Sequence, residues 1–235
     1  MKKIFFPILF VGLVFLAGCG HQAATNNAAV SGADGTMPAA NEMAAITPSS
    51  LAAESGMKVL SIIPEQSKAQ YSMNELLRGT PTLVVGSTSQ LAGEIGVKTD
   101  RPAAIKIGEI KLDAASFVTD IAARDKNVVE LIFKANEPQN KYIVFQPTQV
   151  SGVPEILTPD QGFPVRIEGN LTISGTTRPV TFVGGITWRQ DGSLVGSATT
   201  DLTYGDFGLK IPDFPFLSNV DQVVKLEIDL TAAAK

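Results

Sequence analysis

The chain has 235 residues, of which 44% are apolar, and carries a formal charge of -4. This is enough apolar material for a sizeable core, and it leaves no basic surface for a nucleic-acid phosphate backbone to grip. One cysteine and one histidine in the whole chain exclude a disulfide scaffold and a cysteine-zinc site.

The first stretch, "MKKIFFPILFVGLVFLAGC", sets Lys2 and Lys3 before an uncharged run from Ile4 to Gly18. That is the layout of a secretion signal, and the run is short for a permanent membrane span. Leu16-Ala17-Gly18-Cys19 resembles the bacterial lipobox, in which the signal is cut before the cysteine and the thiol and new amine are acylated. On that resemblance residues 1–18 are a lipoprotein signal peptide and Cys19 is the lipid attachment site. Several acyl chains together hold a protein stably to a membrane. The expected location is extracytoplasmic, on the periplasmic or cell-surface side of a bacterial membrane.

Residues 19–56 are rich in alanine and small polar residues, with no aromatic side chain and no lysine or arginine. Such a segment cannot offset its ordering entropy by burial, so it reads as a disordered tether with a reach on the order of 35 Å. His21 falls within it. The domain beyond, residues 57–235, therefore contains neither histidine nor cysteine, which removes histidine triads, cysteine nucleophiles and histidine metal sites. No glycine-rich phosphate loop is present.

Within the domain the apolar period is two. The stretches "YSMNELL", "TLVVGSTSQLAGEIGVK", "AAIKIGEIKLD" and "KYIVFQPTQV" read as strands, and the phase shift between Ile107 and Ile110 predicts a bulge at Gly108-Glu109. "TDIAARDKNVVELIF" is the one helical candidate, with Thr119 or Asp120 as its cap and Val128/Ile132 and Val129/Phe133 as its apolar pairs. "VRIEGNLTI" puts Val165, Ile167, Leu171 and Ile173 on one face. "VTFVGGITW" does the same for Val180, Phe182, Ile186 and Trp188, and "VVKLEIDL" for Val224, Leu226, Ile228 and Leu230. The fold class is all-β, an antiparallel barrel or sandwich with one short helix. The period alone leaves both architectures open.

Three motifs carry a family likeness. "KIGEIKLDAASFVTDIAARD" ends in Arg124-Asp125, "RIEGNLTISGTTRPVTF" spans residues 166 to 182, and "YGDFGLKIP" contains Asp206-Phe207-Gly208. Together they resemble the YceI-like family over about residues 57 to 235. Tyr204 departs from the pattern, standing where that family carries arginine. The resemblance implies a lipocalin-like antiparallel β-barrel of about eight strands. It further implies a long apolar tunnel that binds an amphiphile such as a polyisoprenoid or quinone. Val165, Ile167, Leu171, Phe182, Ile186, Trp188, Phe207, Leu226 and Ile228 are then the tunnel candidates, and Phe214 and Phe216 in "IPDFPFL" are candidates for its mouth.

The resulting expectation is a membrane-anchored lipoprotein that binds an apolar or amphiphilic lipid as carrier, store or scavenger, with no catalytic residue, metal or cofactor beyond such a lipid. Homodimers occur in the family and are an open possibility here. Two alternatives stand beside it: a non-enzymatic envelope interaction module with a filled barrel, and a hydrolase using two of Asp120, Asp125, Asp201, Asp206 and Asp213. Arg124 and Arg178 are the cationic candidates for a ligand's polar end, with a structural salt bridge as the alternative role for each.

Overall fold

The computed structural model describes residues 46–52, 54–98 and 104–234. The signal segment, Cys19, His21 and most of the tether lie outside the described residues.

Alternating apolar residues build strands β1 (Met57–Ile62), β2 (Lys68–Leu77), β3 (Thr80–Thr88), β4 (Leu91–Ala92), β5 (Glu94–Lys98), β6 (Lys106–Ile107) and β7 (Ile110–Asp113). After helix α1 (Ala122–Asn127) come β8 (Tyr142–Ser151), β9 (Gly162–Ile173), β10 (Thr176–Trp188), β11 (Leu194–Thr203), β12 (Leu217–Ser218) and β13 (Val223–Ala233). Every pairing is antiparallel, and all these strands belong to one sheet whose main path is β4-β7-β8-β9-β10-β11-β13-β1-β5-β6, with β2 branching off beside β13 and carrying β3 and β12. Chain continuity from β4 to β5 through Gly93, and from β6 to β7 through Gly108-Glu109, brings the two ends of that order together. The Gly108 amide donates to the Glu94 carbonyl at 2.8 Å across this seam. The sheet thus curls into a lipocalin-like barrel, and the interruption of the strand at Gly108-Glu109 is where the apolar phase shifts.

Long hairpins form the wall. β9 and β10 are in register from Thr176↔Ile173 to Thr187↔Gly162. Their two-residue turn, Ser174-Gly175, has positive φ at both positions, 46° and 75°, the geometry that matches strand twist in a tight hairpin. β2 and β3 are joined the same way by Arg78-Gly79, with φ of 52° and 79°. β13 is shared: Lys225 to Asp229 pair with β2, while Ala232 and Ala233 pair with β1.

The helix begins later than its polar residues suggest. Its N-cap is Ile121, which makes no side-chain cap bond, so neither Thr119 nor Asp120 caps it. Asp125 reaches back instead, its carboxylate accepting from the Thr119 amide at 2.7 Å and from the Thr119 hydroxyl at 2.6 Å. A π-helical turn, Val128–Ile132, follows directly. Val128 and Phe133 are buried, and Val129 and Ile132 pack against the same core.

The described residues just before β1, which composition groups with the tether, are held on the barrel's outer wall. The Ser49 amide donates to Glu109, the Leu51 amide donates to Glu94 at 2.8 Å, and Glu54 pairs with both Lys98 and Lys106. Hydrogen bonds from these lysines hold the Glu54 carboxyl down at about 2, against an ordinary 4.5. A depressed carboxylate contributes its stabilisation above its unfolded value and loses it as pH falls through the folded one. Amide exchange at Leu51 is therefore expected to be slow at neutral pH and to accelerate between pH 4.5 and 2 beyond the intrinsic exchange rate, while exchange in β9 stays protected. Equal behaviour of the two would show that Glu54 does not fasten this segment.

Candidate functional site

The barrel is not filled. It encloses a cavity of about 800 Å³, a volume in the range of small-molecule and lipid sites. One end is sealed by Leu60, Ile95 and Leu194, whose side chains are completely or almost completely inaccessible. The cavity reaches the surface at the other end. There its lining includes the β2–β3 hairpin tip (Leu77, Arg78, Thr80), the start of α1 (Ile121, Ala123, Arg124) and Phe214, Phe216 and Leu217.

Period-two alternation supplies the lining. β9 contributes Val165, Ile167, Leu171 and Ile173, β10 contributes Phe182 and Ile186, and β13 contributes Val224, Leu226, Ile228 and Leu230. Phe182 faces Phe145 edge-on, with ring centroids 5.1 Å apart. Two tunnel candidates fall elsewhere. Phe207 is buried beneath the turn Tyr204–Phe207 and is outside the lining, because its short helical turn takes it out of strand phase. Trp188 ends β10 beyond the cavity, its indole covered by the Lys58 ammonium at 5.6 Å. Tyr204, the departure from the family pattern, does line the cavity.

Phe214 and Phe216 stack at the mouth with centroids 5.3 Å apart and an interplanar angle of 16°. Phe216 is 47% exposed. The Phe216 carbonyl accepts from the Arg78 amide at 2.7 Å, and Leu217 pairs with Leu77 in β12. Both aromatic rings are therefore fixed to the hairpin tip and do not fold into a solid plug.

Polar residues are the minority of the lining, and Glu75, Arg78 and Arg124 are its charged members toward the mouth. On β2 the inward sequence is Ala69, Tyr71, Met73, Glu75 and Leu77, so Glu75 occupies a position whose neighbours in phase are apolar or aromatic. It is 8% exposed, and Arg124 from α1 reaches it at 3.0 Å while also bonding the exposed Asp120. Period-two reading of β2 would have exposed Glu75 as the out-of-character residue on that face. Arg178 is an exposed wall residue outside the lining and donates to the Thr177 carbonyl. None of Asp120, Asp125, Asp201, Asp206 and Asp213 is part of the lining. Among the described residues no cluster of three or more histidine, cysteine, aspartate or glutamate side chains forms a metal site, and no helix is long and apolar enough to cross a membrane.

Tyr71 is a buried exception. Its hydroxyl is sealed from solvent without a hydrogen-bond partner among the described residues, and its ring packs on Phe117 at 5.7 Å. Burial, with the Asp125 and Glu75 charges assisting and Arg124 opposing, pushes the phenol from 10.0 up to about 12. The folded state thus keeps a proton that the unfolded chain releases near pH 10. Stability from this group is complete below pH 10 and falls by about 2–3 kcal/mol as pH rises toward 12. Tyr71→Phe is expected to be neutral or up to about 1 kcal/mol more stable at pH 7. It should also flatten that alkaline decline in urea unfolding, and an unchanged decline would assign it to other groups.

A curled antiparallel wall around an apolar pocket is the architecture of the lipocalin-like class of barrel. The family model described as the YceI-like domain matches residues 60–232, and the chain belongs to the YceI-like family. Its fold is shared with Burkholderia cenocepacia BcnA, at 16% identity and a TM-score of 0.57, covering 73% of this chain and 99% of that one. It is shared equally with a polyisoprenoid binding domain from Saccharophagus degradans implicated in plant cell wall breakdown, at 12% identity and a TM-score of 0.58, covering 75% and 98%. The Campylobacter jejuni YceI protein aligns at 18% identity with a TM-score of 0.50, covering 64% and 84%. No curated protein matches the chain.

Proposed function

We propose that this protein is a non-enzymatic, membrane-anchored extracytoplasmic lipoprotein that holds an apolar or amphiphilic lipid inside its barrel, as carrier, store or scavenger. The observation that carries the reading is the cavity itself, about 800 Å³ of mainly apolar-lined space behind a mouth framed by stacked phenylalanines. Water gains little from such a wall, whereas a long apolar tail gains in proportion to the area it removes from water. The Saccharophagus degradans relative is a polyisoprenoid binding domain, which supports a tail of that kind. Cys19 with its lipobox-like context supports the anchor, and the chain between it and the barrel supports action at a distance from the membrane surface.

The test is mass spectrometry of organic extracts of the full chain purified from bacterial cells. The expected result is a near-stoichiometric isoprenoid or similar lipid, together with a diacylglyceryl modification on the peptide that begins at Cys19. A protein that is empty as purified and takes up no added quinone or polyprenol would overturn the binding role. An unmodified Cys19 would overturn the anchor alone.

A further inference from the structure

We propose that the open end of the barrel is a membrane-docking face, with Phe216, Phe214 and Ile121 entering the surface of the bilayer that holds the chain's anchor. The proposal rests on the lipid-binding and anchoring readings above and adds the face that the barrel presents to lipid. Its first support is where the N-terminal segment meets the wall. The described residues from 46 to 54 run along the outside of β6 and β7. The Thr47 carbonyl accepts from Lys111, the Ser49 amide donates to Glu109, the Leu51 amide donates to Glu94, and Glu54 pairs with Lys98 and Lys106. Lys111 stands opposite Val144, and Val144 opposite Thr172, two residues short of the β9–β10 turn at the open end. Glu54 is at the other end: its partner Lys98 pairs with Met57, and the next residue, Lys58, covers Trp188. The chain that leads from Cys19 therefore joins the wall on the side of the mouth. A coil of the length of residues 19–45 has a reach of roughly 28 Å. The barrel can leave the surface on such a tether, and the mouth is the end it presents on return.

The second support is what the mouth exposes. Phe216 is 47% and Ile121 36% exposed, Pro215, Ala122 and Ala123 beside them are exposed, and Phe214 is half-buried. The two phenylalanine rings stack, and the bond from the Arg78 amide to the Phe216 carbonyl fixes their loop to the β2–β3 tip. Ordering them at a bilayer surface thus costs little further entropy. Aromatic and aliphatic side chains gathered at one end of a domain gain by entering the boundary between headgroups and acyl chains. Ile121, Phe214 and Phe216 also belong to the cavity lining, with Glu75 and Arg124 forming the neck behind them. The exposed apolar surface is therefore continuous with the interior, and a tail that crosses over it from bilayer to barrel stays out of bulk water. The same segments carry charges of both signs, Arg78, Lys126 and Lys210 with Asp120, Asp125 and Asp213, so the contact is assigned to the apolar side chains.

Trp188, the sole tryptophan, ends the 13-residue β10 about 40 Å of strand away from the open end, and so reports on the closed end. The full chain purified from bacterial cells is reconstituted into vesicles of zwitterionic phosphatidylcholine brominated on its acyl chain near the headgroup, which quenches tryptophan at the interface. The parent is compared with Phe216→Trp combined with Trp188→Phe, both checked by thermal melting. Emission from position 216 is expected to fall about two-fold and shift to the blue, while emission from Trp188 stays as it is in unbrominated vesicles. Ile121→Asp should restore most of the emission at position 216. Ala198→Phe, which narrows the cavity, should leave the quenching in place; its loss would assign the quenching to brominated lipid drawn into the barrel and overturn docking. Quenching of Trp188, alone or with position 216, overturns the mouth as the docking face. A blue shift at position 216 that grows with protein concentration in the absence of vesicles gives the mouth to a second copy of the chain and overturns the lipid surface. A chain that does not float with the vesicles overturns the anchor reading and this proposal with it, whereas one that floats with position 216 unquenched overturns the docking face alone.

Discussion

Ala198→Trp is expected to abolish lipid uptake while leaving the barrel folded. Ala198 lies on β11 between Gly184 of β10 and Ile228 of β13, is buried, and lines the cavity. In a filled core an indole at this position would force neighbours off their rotamers and cost about 1–3 kcal/mol or more. Here the added ring extends into empty space and gains dispersion contacts that the alanine lacks. The expected outcome is a ten-fold or greater loss of lipid affinity, about 1.4 kcal/mol, with a melting temperature within about 3 °C of the parent. A large fall in melting temperature would mean that the space is already occupied by protein. Unaltered lipid binding would place the ligand elsewhere.

Arg124→Met is expected to produce the largest stability loss of any single change at the mouth. It removes the partner of Glu75, which has little access to water, and breaking one side of such a pair costs about 3 kcal/mol because the remaining charge is left unpaired. In urea unfolding this corresponds to a midpoint lower by about 1–2 M. Replacing both members, Glu75→Leu with Arg124→Met, should restore most of the loss, since two apolar side chains suit the surrounding Met73 and Leu77. A single variant as stable as the parent would show that water reaches Glu75 freely and that the pair is only an exposed contact.

How much of this was legible in the sequence depended on how cleanly each segment alternates. Val165 to Ile173 alternates without a break, so its inward face could be read directly and proved to be the cavity wall. The irregularity at Gly108-Glu109 was equally readable from the phase slip, but the structure makes it a break between β6 and β7 and not a bulge within one strand. β11 left little trace, since its inward positions are mainly Gly196, Ala198 and Thr200, small side chains whose apolar contrast is weak. The helix cap was misread for a related reason: Thr119 and Asp120 have capping chemistry, yet the bond that fixes the turn comes from Asp125 reaching backward. Trp188 and Phe207 show the limit of phase as a guide. Being on the inward side of a strand, or in a buried motif, does not say at what height a residue meets the cavity. Glu75 was present in the pattern as a single charge within an inward-facing row and would have pointed to the neck. Arg124 meets it across 49 residues of chain, a contact only the fold could reveal.

The way β13 is shared has a kinetic consequence. Its pairings with β2 and β1 join residues 223–233 to residues 57–72, so the wall cannot close until nearly the whole domain is available. Early strands emerging from a ribosome or a translocation pore have local hairpin partners but no complete ring. Folding is thus governed by a late, long-range closure of the kind that places β-rich domains in the millisecond-to-second regime. During that interval the inward faces of β2, β9 and β10 stay open to solvent, so the apolar wall of the cavity is exposed until the last strand pairs.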